Sequence, residues 1–370
     1  MKYNLLLAAG LTASLMAACG GGGADAGTAP FGSGADTSAG TGTTGTTGGT
    51  GSTGGTGSTG GTGSTGGTGS TTPGGGISTV STGVPNQRYM SISVEKYALN
   101  WSIDGDETKV TVRVADSAGN PVPEGTRVQF STSGGQVQTS CLLTGVSNGT
   151  SAISGCSVTF ATQDFRPTIG LVAILAWLEG EEAYKDLNGN GAYDAGEPFI
   201  DAGRLFRDDN VDGSFTAQVD ELNVGATLAG TPGIGTAACV VDPAVPVNDV
   251  PTSVPTTCDG AWGRSFVRAA VYLPVADPRS LEAAAVNPAQ LRVWTAFGSN
   301  DVAAPSGTTV TVKTSPANCT VTVSPAAVPA TAVLPTLHQL TSTGAGCAGA
   351  AVGVEVKSGD FSKLVTVTLP

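Results

Sequence analysis

A chain of 370 residues with a formal net charge of -12, of which only 12% are charged and 5% aromatic, argues against a nucleic-acid partner and against electrostatic attraction to an anionic membrane surface. Glycine numbers 55 and is crowded into one early block, so the folded part is shorter than the chain. The acidity is also concentrated: between Glu179 and Glu221 stand twelve acidic residues against Lys185, Arg204 and Arg207.

At the start, Lys2 gives a short positive region and Leu5 to Met16 an apolar run that ends in Leu15-Met16-Ala17-Ala18-Cys19. This is the anatomy of an export signal over residues 1–19. The last five residues resemble the lipobox of bacterial lipoproteins, with Met16 where Leu is commonest. The resemblance implies lipidation of Cys19 as the mature N-terminus. Gly20, in place of Asp, resembles the pattern of lipoproteins sent on to the outer membrane. The expected partner is therefore a membrane, held through a lipid anchor rather than a span. Residues 20–87 follow as a Gly/Thr/Ser-rich linker in which GGTGST repeats four times in tandem between Gly48 and Thr71. With almost no apolar side chains to bury, such a linker is expected to be a disordered tether, with an r.m.s. span of roughly 40 to 50 Å.

Without Cys19, six cysteines remain, an even number suited to disulfides in an exported chain. They fall as near neighbours: Cys141 with Cys156, Cys239 with Cys258 and Cys319 with Cys347. Other connectivities are open in principle, and local pairing is the expectation. No C-x-x-C spacing points to zinc or to a thioredoxin-like site.

From about Arg88 short runs alternate. Val110, Val112 and Val114 alternate with Thr111 and Arg113; Val128 and Phe130 flank Gln129; Val158 and Phe160 flank Thr159. Turn signals such as Asp104-Gly105, Ala118-Gly119-Asn120-Pro121 and Ser133-Gly134-Gly135 separate them. The spacing predicts an antiparallel β-sandwich. The run VTVRVADSAGNPVPEGTRVQFS, Val110 to Ser131, resembles the bacterial Ig-like domains of the invasin and intimin group. That resemblance implies an all-β fold of tandem Ig-like sandwiches, the first over 88–275 and the second over 276–370.

Ile169 to Leu178 is apolar throughout and predicts a strand buried on both faces; it is too short to cross a bilayer. Ser265 to Leu273 predicts its hairpin partner, so residues 179–262 read as an acidic insertion between the two. A metal and a disulfide are two ways to order so long an excursion. The second sandwich echoes the first: Pro123-Glu124-Gly125-Thr126 has a counterpart in Pro305-Ser306-Gly307-Thr308, and Gly155-Cys156 in Gly346-Cys347.

Within the insertion, DLNGNGAYDAGE, Asp186 to Glu197, fits the calcium-loop template D-x-[DN]-x-[DN]-G-x5-E at every specified position. Calcium takes six to eight oxygens, and side chains at alternate positions can wrap it around a sharp glycine turn. The expected ligands are Asp186, Asn188, Asn190, the backbone carbonyl of Ala192, Asp194 and Glu197, with Gly191 at the turn. Pro198 makes an exiting helix improbable, so the resemblance is to the loop alone, as in dockerin-type modules, and not to a sensor that opens on binding. A second, partial loop offers Asp208, Asn210 and Asp212, but Val219 holds the twelfth position. Asp220 or Glu221 is then the carboxylate that would have to serve, with Asp201 shared.

For catalysis the sequence offers little. His338 is the only histidine and reads as structural. No nucleophile elbow stands in an α/β context, and nothing separates an acid from a nucleophile among the crowded carboxylates. Trp101, Trp177, Trp262 and Trp294 read as core residues before they read as a sugar platform. The expectation is a non-enzymatic, exported, lipid-anchored protein of the outer membrane or cell surface. It would act in adhesion or structural presentation, with calcium stabilising the insertion. The alternatives are a carbohydrate- or protein-recognition module using the acidic insertion and, further off, a carboxylate-dependent hydrolase.

Overall fold

The computed structural model describes residues 82–147, 152–222, 233–297 and 300–370. The expected signal segment, Cys19 and the tether up to residue 81 lie outside the described residues. Among the described residues the fold is all-β, with no α-helix and only short 3-10 turns at Gln87–Tyr89 and Pro278–Ser280.

The first group of strands comprises β1 (Ser91–Val94), β2 (Leu99–Asn100), β3 (Glu107–Val114), β4 (Arg127–Thr132), β5 (Gln136–Val137), β6 (Ser140–Leu142), β7 (Thr144–Ser147), β8 (Ala152–Ala161) and β9 (Leu171–Glu181). The insertion carries β10 (Phe206–Arg207), β11 (Glu221–Leu222) and β12 (Ile234–Ala237), and β13 (Arg264–Ala276) completes the group. One sheet runs β1-β3-β8-β5 with β7 also on β8; the other runs β2-β13-β9-β4-β6. Alternation explains why they face each other. On β3, Val110, Val112 and Val114 are buried, whereas Glu107, Lys109 and Arg113 are exposed. Their buried face meets Val158 and Phe160 of β8, Val172, Ile174 and Ala176 of β9, and Trp101. Each valine, isoleucine or phenylalanine so removed from water contributes about 1.5–3 kcal/mol.

The second group comprises β14 (Leu281–Asn287), β15 (Gln290–Phe297), β16 (Asn300–Val302), β17 (Thr309–Thr314), β18 (Thr320–Ser324), β19 (Thr336–Thr343), β20 (Ala351–Ser358) and β21 (Phe361–Thr368). Its sheets are β14-β15-β19-β18, with β16 on β15, and β17-β20-β21, closed over Leu291, Val293, Val310, Leu340, Val354 and Val356. His338 is fully buried in this core; its Nδ1 lies 2.7 Å from the carbonyl of Pro325 and its Nε2 lies 2.8 Å from Thr336 Oγ1. Burial holds its pKa below the ordinary histidine value.

Both groups belong to one compact unit. They meet through small residues, Ala98, Ala276 and Ala303, and through backbone bonds from Tyr97 N–H to Ala330 (2.8 Å) and from Ser306 N–H to Ala98 (2.8 Å).

The echo between the two groups is structural at the Pro-x-Gly-Thr turns. Thr126 and Thr308 each donate their hydroxyl to the carbonyl of the turn proline, Pro123 (2.8 Å) and Pro305 (2.6 Å). Gly125 and Gly307 share φ +82, a left-handed value that glycine adopts without strain. The Gly-Cys echo differs: Cys156 lies within β8, whereas Cys347 sits in the turn ahead of β20. The three disulfides are Cys141–Cys156, Cys239–Cys258 and Cys319–Cys347, the local pairs.

Candidate functional site

β9 and β13 pair antiparallel from Glu181 opposite Arg264 to Leu171 opposite Pro274. The insertion expected over 179–262 therefore spans 182–263, since Glu179 to Glu181 still belong to the ladder; its described residues leave and return at one end of the ladder, and Leu205 packs on the outer face. That explains the unbroken apolar run of β9. Val172, Ile174, Ala176 and Leu178 face the sandwich core, while Leu175 and Trp177 face Leu205 of the insertion, with Phe266 and Ala270 of β13 beside them.

Polar anchors fix the insertion to this face. Arg268 of β13 is 1% exposed and donates to the carbonyls of Gly203 (3.1 Å) and Phe266 (2.9 Å) and to Ser253 Oγ (2.6 Å). The backbone of Arg268 is held by the amide of Gln87, which accepts its N–H (2.9 Å) and donates to its carbonyl (2.8 Å). Gln87 thus stands in for a neighbouring strand at a sheet edge that would otherwise be unpaired. Glu182 is 1% exposed, its carboxylate accepting the N–H groups of Ala202 (2.7 Å) and Gly263 (3.1 Å). Burial pushes its pKa up to about 8, against the pull of those two bonds and with the negative field of Asp201 and Asp259 adding to the rise.

The first loop closes on a bridge between Tyr184 and Phe199 and on a bond from Lys185 N–H to Pro198 (2.8 Å). Asp186 gathers the N–H groups of Gly189 (2.6 Å), Asn190 (3.3 Å) and Gly191 (2.7 Å). A little desolvation raises its pKa, but these N–H groups outweigh it and hold the carboxyl below the ordinary aspartate value. Asn188 and Asn190 turn back on their own backbone, accepting the N–H groups of Asn190 (3.0 Å) and Ala192 (2.8 Å). Both donate to Asp194 Oδ2, at 2.7 and 2.6 Å. Glu197 spans the loop, its two oxygens accepting the N–H groups of Leu187 (2.7 Å) and Asp194 (3.0 Å). The expected ligand side chains are thus brought together on one short turn. Tyr193, at the eighth position, stacks on Trp262 at 4.7 Å and meets Tyr184 edge-on at 5.8 Å.

The second loop repeats this plan. β10 and β11 close it, with Phe206 opposite Leu222. Asp208 accepts the N–H groups of Asp212 (3.2 Å) and Gly213 (2.8 Å), Asn210 that of Asp212 (3.2 Å), and Asp212 that of Ser214 (2.8 Å). Asp220, one position later than the template allows, takes the place of Glu197: its oxygens accept the N–H groups of Asp209 (2.9 Å) and Thr216 (2.6 Å). Glu221, the other carboxylate available, is engaged by Arg207 at 2.7 Å, as is Asp209 at 2.5 Å. Phe215 meets Phe206 edge-on at 5.4 Å, as Tyr193 meets Tyr184. Burial raises the pKa of Asp208, and the charge of Asp220 adds to the rise against the N–H bonds of Gly213 and Asp212.

Asp201 is not drawn into either loop by any hydrogen bond. It is 1% exposed, its Oδ2 accepting the N–H of Gly260 (2.9 Å) and its Oδ1 having no hydrogen-bond partner among the described residues. The sequence missed Trp262, which roofs the first loop, and the anchors Gln87, Glu182 and Arg268. An aromatic residue two positions before each loop and another at its eighth position are the signal that was available for the repeat. Among the described residues no three His, Cys, Asp or Glu side chains form a ready-made metal cluster, those of Asp186, Asp194 and Glu197 and of Asp208, Asp212 and Asp220 included; the expected donors are all oxygens, with asparagine beside the carboxylates. Those oxygens suit a hard cation such as calcium and not zinc.

No protein-family model, no curated protein and no solved structure matches this chain.

Proposed function

We propose that the chain is an exported, lipid-anchored envelope protein whose sandwiches serve adhesion or structural presentation, and whose insertion is ordered by calcium held in two successive loops. The observation that carries the calcium reading is the shared role of Glu197 and Asp220. Each accepts the N–H groups of the second and ninth residues of its loop and so ties the two ends of the loop together. In the second loop the negative charge of Asp220 opposes that of Asp208, and both are buried, at 4% and 7% exposure. A divalent cation would offset both costs.

In the first loop Asp186, Asn188, Asn190, the Ala192 carbonyl, Asp194 and Glu197 would hold the ion. In the second, Asp208, Asn210, Asp212 and Asp220 would do so. The ion would contribute cohesion and no reaction step. The anchoring reading is supported by the Leu15 to Cys19 sequence, and the adhesive reading by the Val110 to Ser131 resemblance and a fold built of β-sandwiches. Calorimetric calcium titration of the chain tests the metal: two binding events are expected, one lost in Asp186→Ala/Glu197→Ala and the other in Asp208→Ala/Asp220→Ala. No heat and no change in melting temperature would sink the reading.

A further inference from the structure

Three Asn-Gly steps occur in the chain, and two of them, Asn188-Gly189 and Asn190-Gly191, lie inside the first loop; the third, Asn148-Gly149, falls outside the described residues. An asparagine is open to attack on its side-chain carbon by the backbone nitrogen of the next residue. A Cβ on that residue crowds the approach, and glycine has none. Nothing lies within 4 Å of where a Cβ on Gly189 would stand. Asn188 and Asn190 are both exposed to water. Both attacking nitrogens are tied to one carboxylate, Gly189 N–H to Asp186 Oδ1 (2.6 Å) and Gly191 N–H to Asp186 Oδ2 (2.7 Å), and are freed for attack when these bonds open. The two amide groups that would leave rest on another, Asp194 Oδ2.

We propose that Asn188 and Asn190 are deamidation sites and that the first loop changes its own ligand chemistry when calcium is absent. The glycine nitrogen loses its proton to solvent and forms a bond to the asparagine Cγ. The Cγ–Nδ2 bond then breaks, and Nδ2 takes up a proton from solvent and departs as ammonia, leaving a five-membered imide. Water adds to one of the two imide carbonyls and opens the ring, giving aspartate or isoaspartate. The net change is one water consumed and one ammonia released, with no oxidant or reductant. Aspartate at these positions adds negative charge to the donor set and tightens a hard-cation site. Isoaspartate lengthens the backbone by one carbon and breaks the turn. The second loop is a built-in control, because Asn210 is followed by Val211, whose branched side chain crowds the attacking nitrogen.

The dependence on calcium rests on the function proposed above: an ion drawing both asparagine oxygens inward holds Cγ away from the attacking nitrogen. The full chain is incubated at mildly alkaline pH with calcium or with a chelator, and each asparagine is followed by peptide mass spectrometry. In chelator, conversion at Asn188 and Asn190 is expected to run at least about tenfold faster than at Asn210, and calcium is expected to slow the first two while leaving Asn148 unchanged. Conversion at Asn188 and Asn190 no faster than at Asn210 overturns the proposal. Fast conversion that calcium does not slow upholds the modification and overturns the calcium dependence. As a second measurement, the product mimic Asn188→Asp/Asn190→Asp is expected to bind calcium more tightly than the parent chain.

Discussion

Asp220 does in the second loop what Glu197 does in the first: each carboxylate accepts the N–H of the residue after the loop's leading aspartate and of the ninth residue, although Asp220 stands one position later and is one methylene shorter. The extra residue compensates for the shorter side chain. This equivalence makes the two loops separately addressable. With dissociation constants on the order of 0.1 to 1 mM and calcium in tenfold to hundredfold excess, each occupied loop is expected to add roughly 1.4 to 2.7 kcal/mol. Asp220→Ala should abolish the increment of the second loop alone, read as a smaller calcium-induced rise in melting temperature. An unchanged rise would show that Asp220 is not a ligand.

Stability should also depend on pH through Glu182. Its carboxyl is raised from 4.5 to about 8 by burial, so the folded protein binds this proton more tightly than the unfolded chain does. The contribution is complete below about pH 4.5 and is lost as pH rises toward 8, a change of roughly 5 kcal/mol at most. Glu182→Gln removes the titration. Its amide must meet the N–H of Ala202 or Gly263 with a donor of its own, so the informative quantity is the slope of stability against pH between 5 and 8, not its absolute level. A slope equal to that of the parent chain would count against Glu182.

Gln87 offers a test of the edge of β13. Its amide satisfies both backbone groups of Arg268 in a fully buried setting. Gln87→Ala leaves a donor and an acceptor unpaired there, at a cost of about 2 to 5 kcal/mol. Hydrogen exchange should accelerate at Arg268 N–H first, with both calcium increments retained.

Trp262 couples the first loop to the rest of the insertion by stacking on Tyr193 and by donating its Nε1–H to the Glu182 carbonyl at 3.0 Å. Trp262→Ala should cost about 3 to 5 kcal/mol and weaken calcium at the first loop while sparing the second, where Phe215 packs on Phe206. Equal weakening at both loops would mean that the two are one cooperative body.

Much of this fold could be read from local pattern. Valine alternation on β3 sets its buried face, and close spacing of the cysteines matches their pairing. The run through Leu171 to Leu178 reads as a strand buried on both sides because it is one, with the sandwich on one face and Leu205 of the insertion on the other. The rest depends on neighbours far along the chain. Nothing near Arg268 announces that a guanidinium on a strand will be covered by Gly203 and Ser253, or that Gln87 will pair with its backbone. Asp220 escaped the loop template because a spacing rule assumes one side-chain length. Trp262 reads as one more core aromatic until the chain returns it to Tyr193.

Glu181 and Arg264 stand opposite each other where the insertion departs. A two-residue hairpin turn could join them and leave every register of the sandwich intact. In connectivity, then, the acidic segment is a graft on a complete β-hairpin, exchangeable for another of any length. In solvation it is not, since its removal bares Leu175, Trp177, Phe266 and Ala270 to water. Any replacement must bring its own apolar underside, and that requirement constrains what this position can carry more tightly than the chain path does.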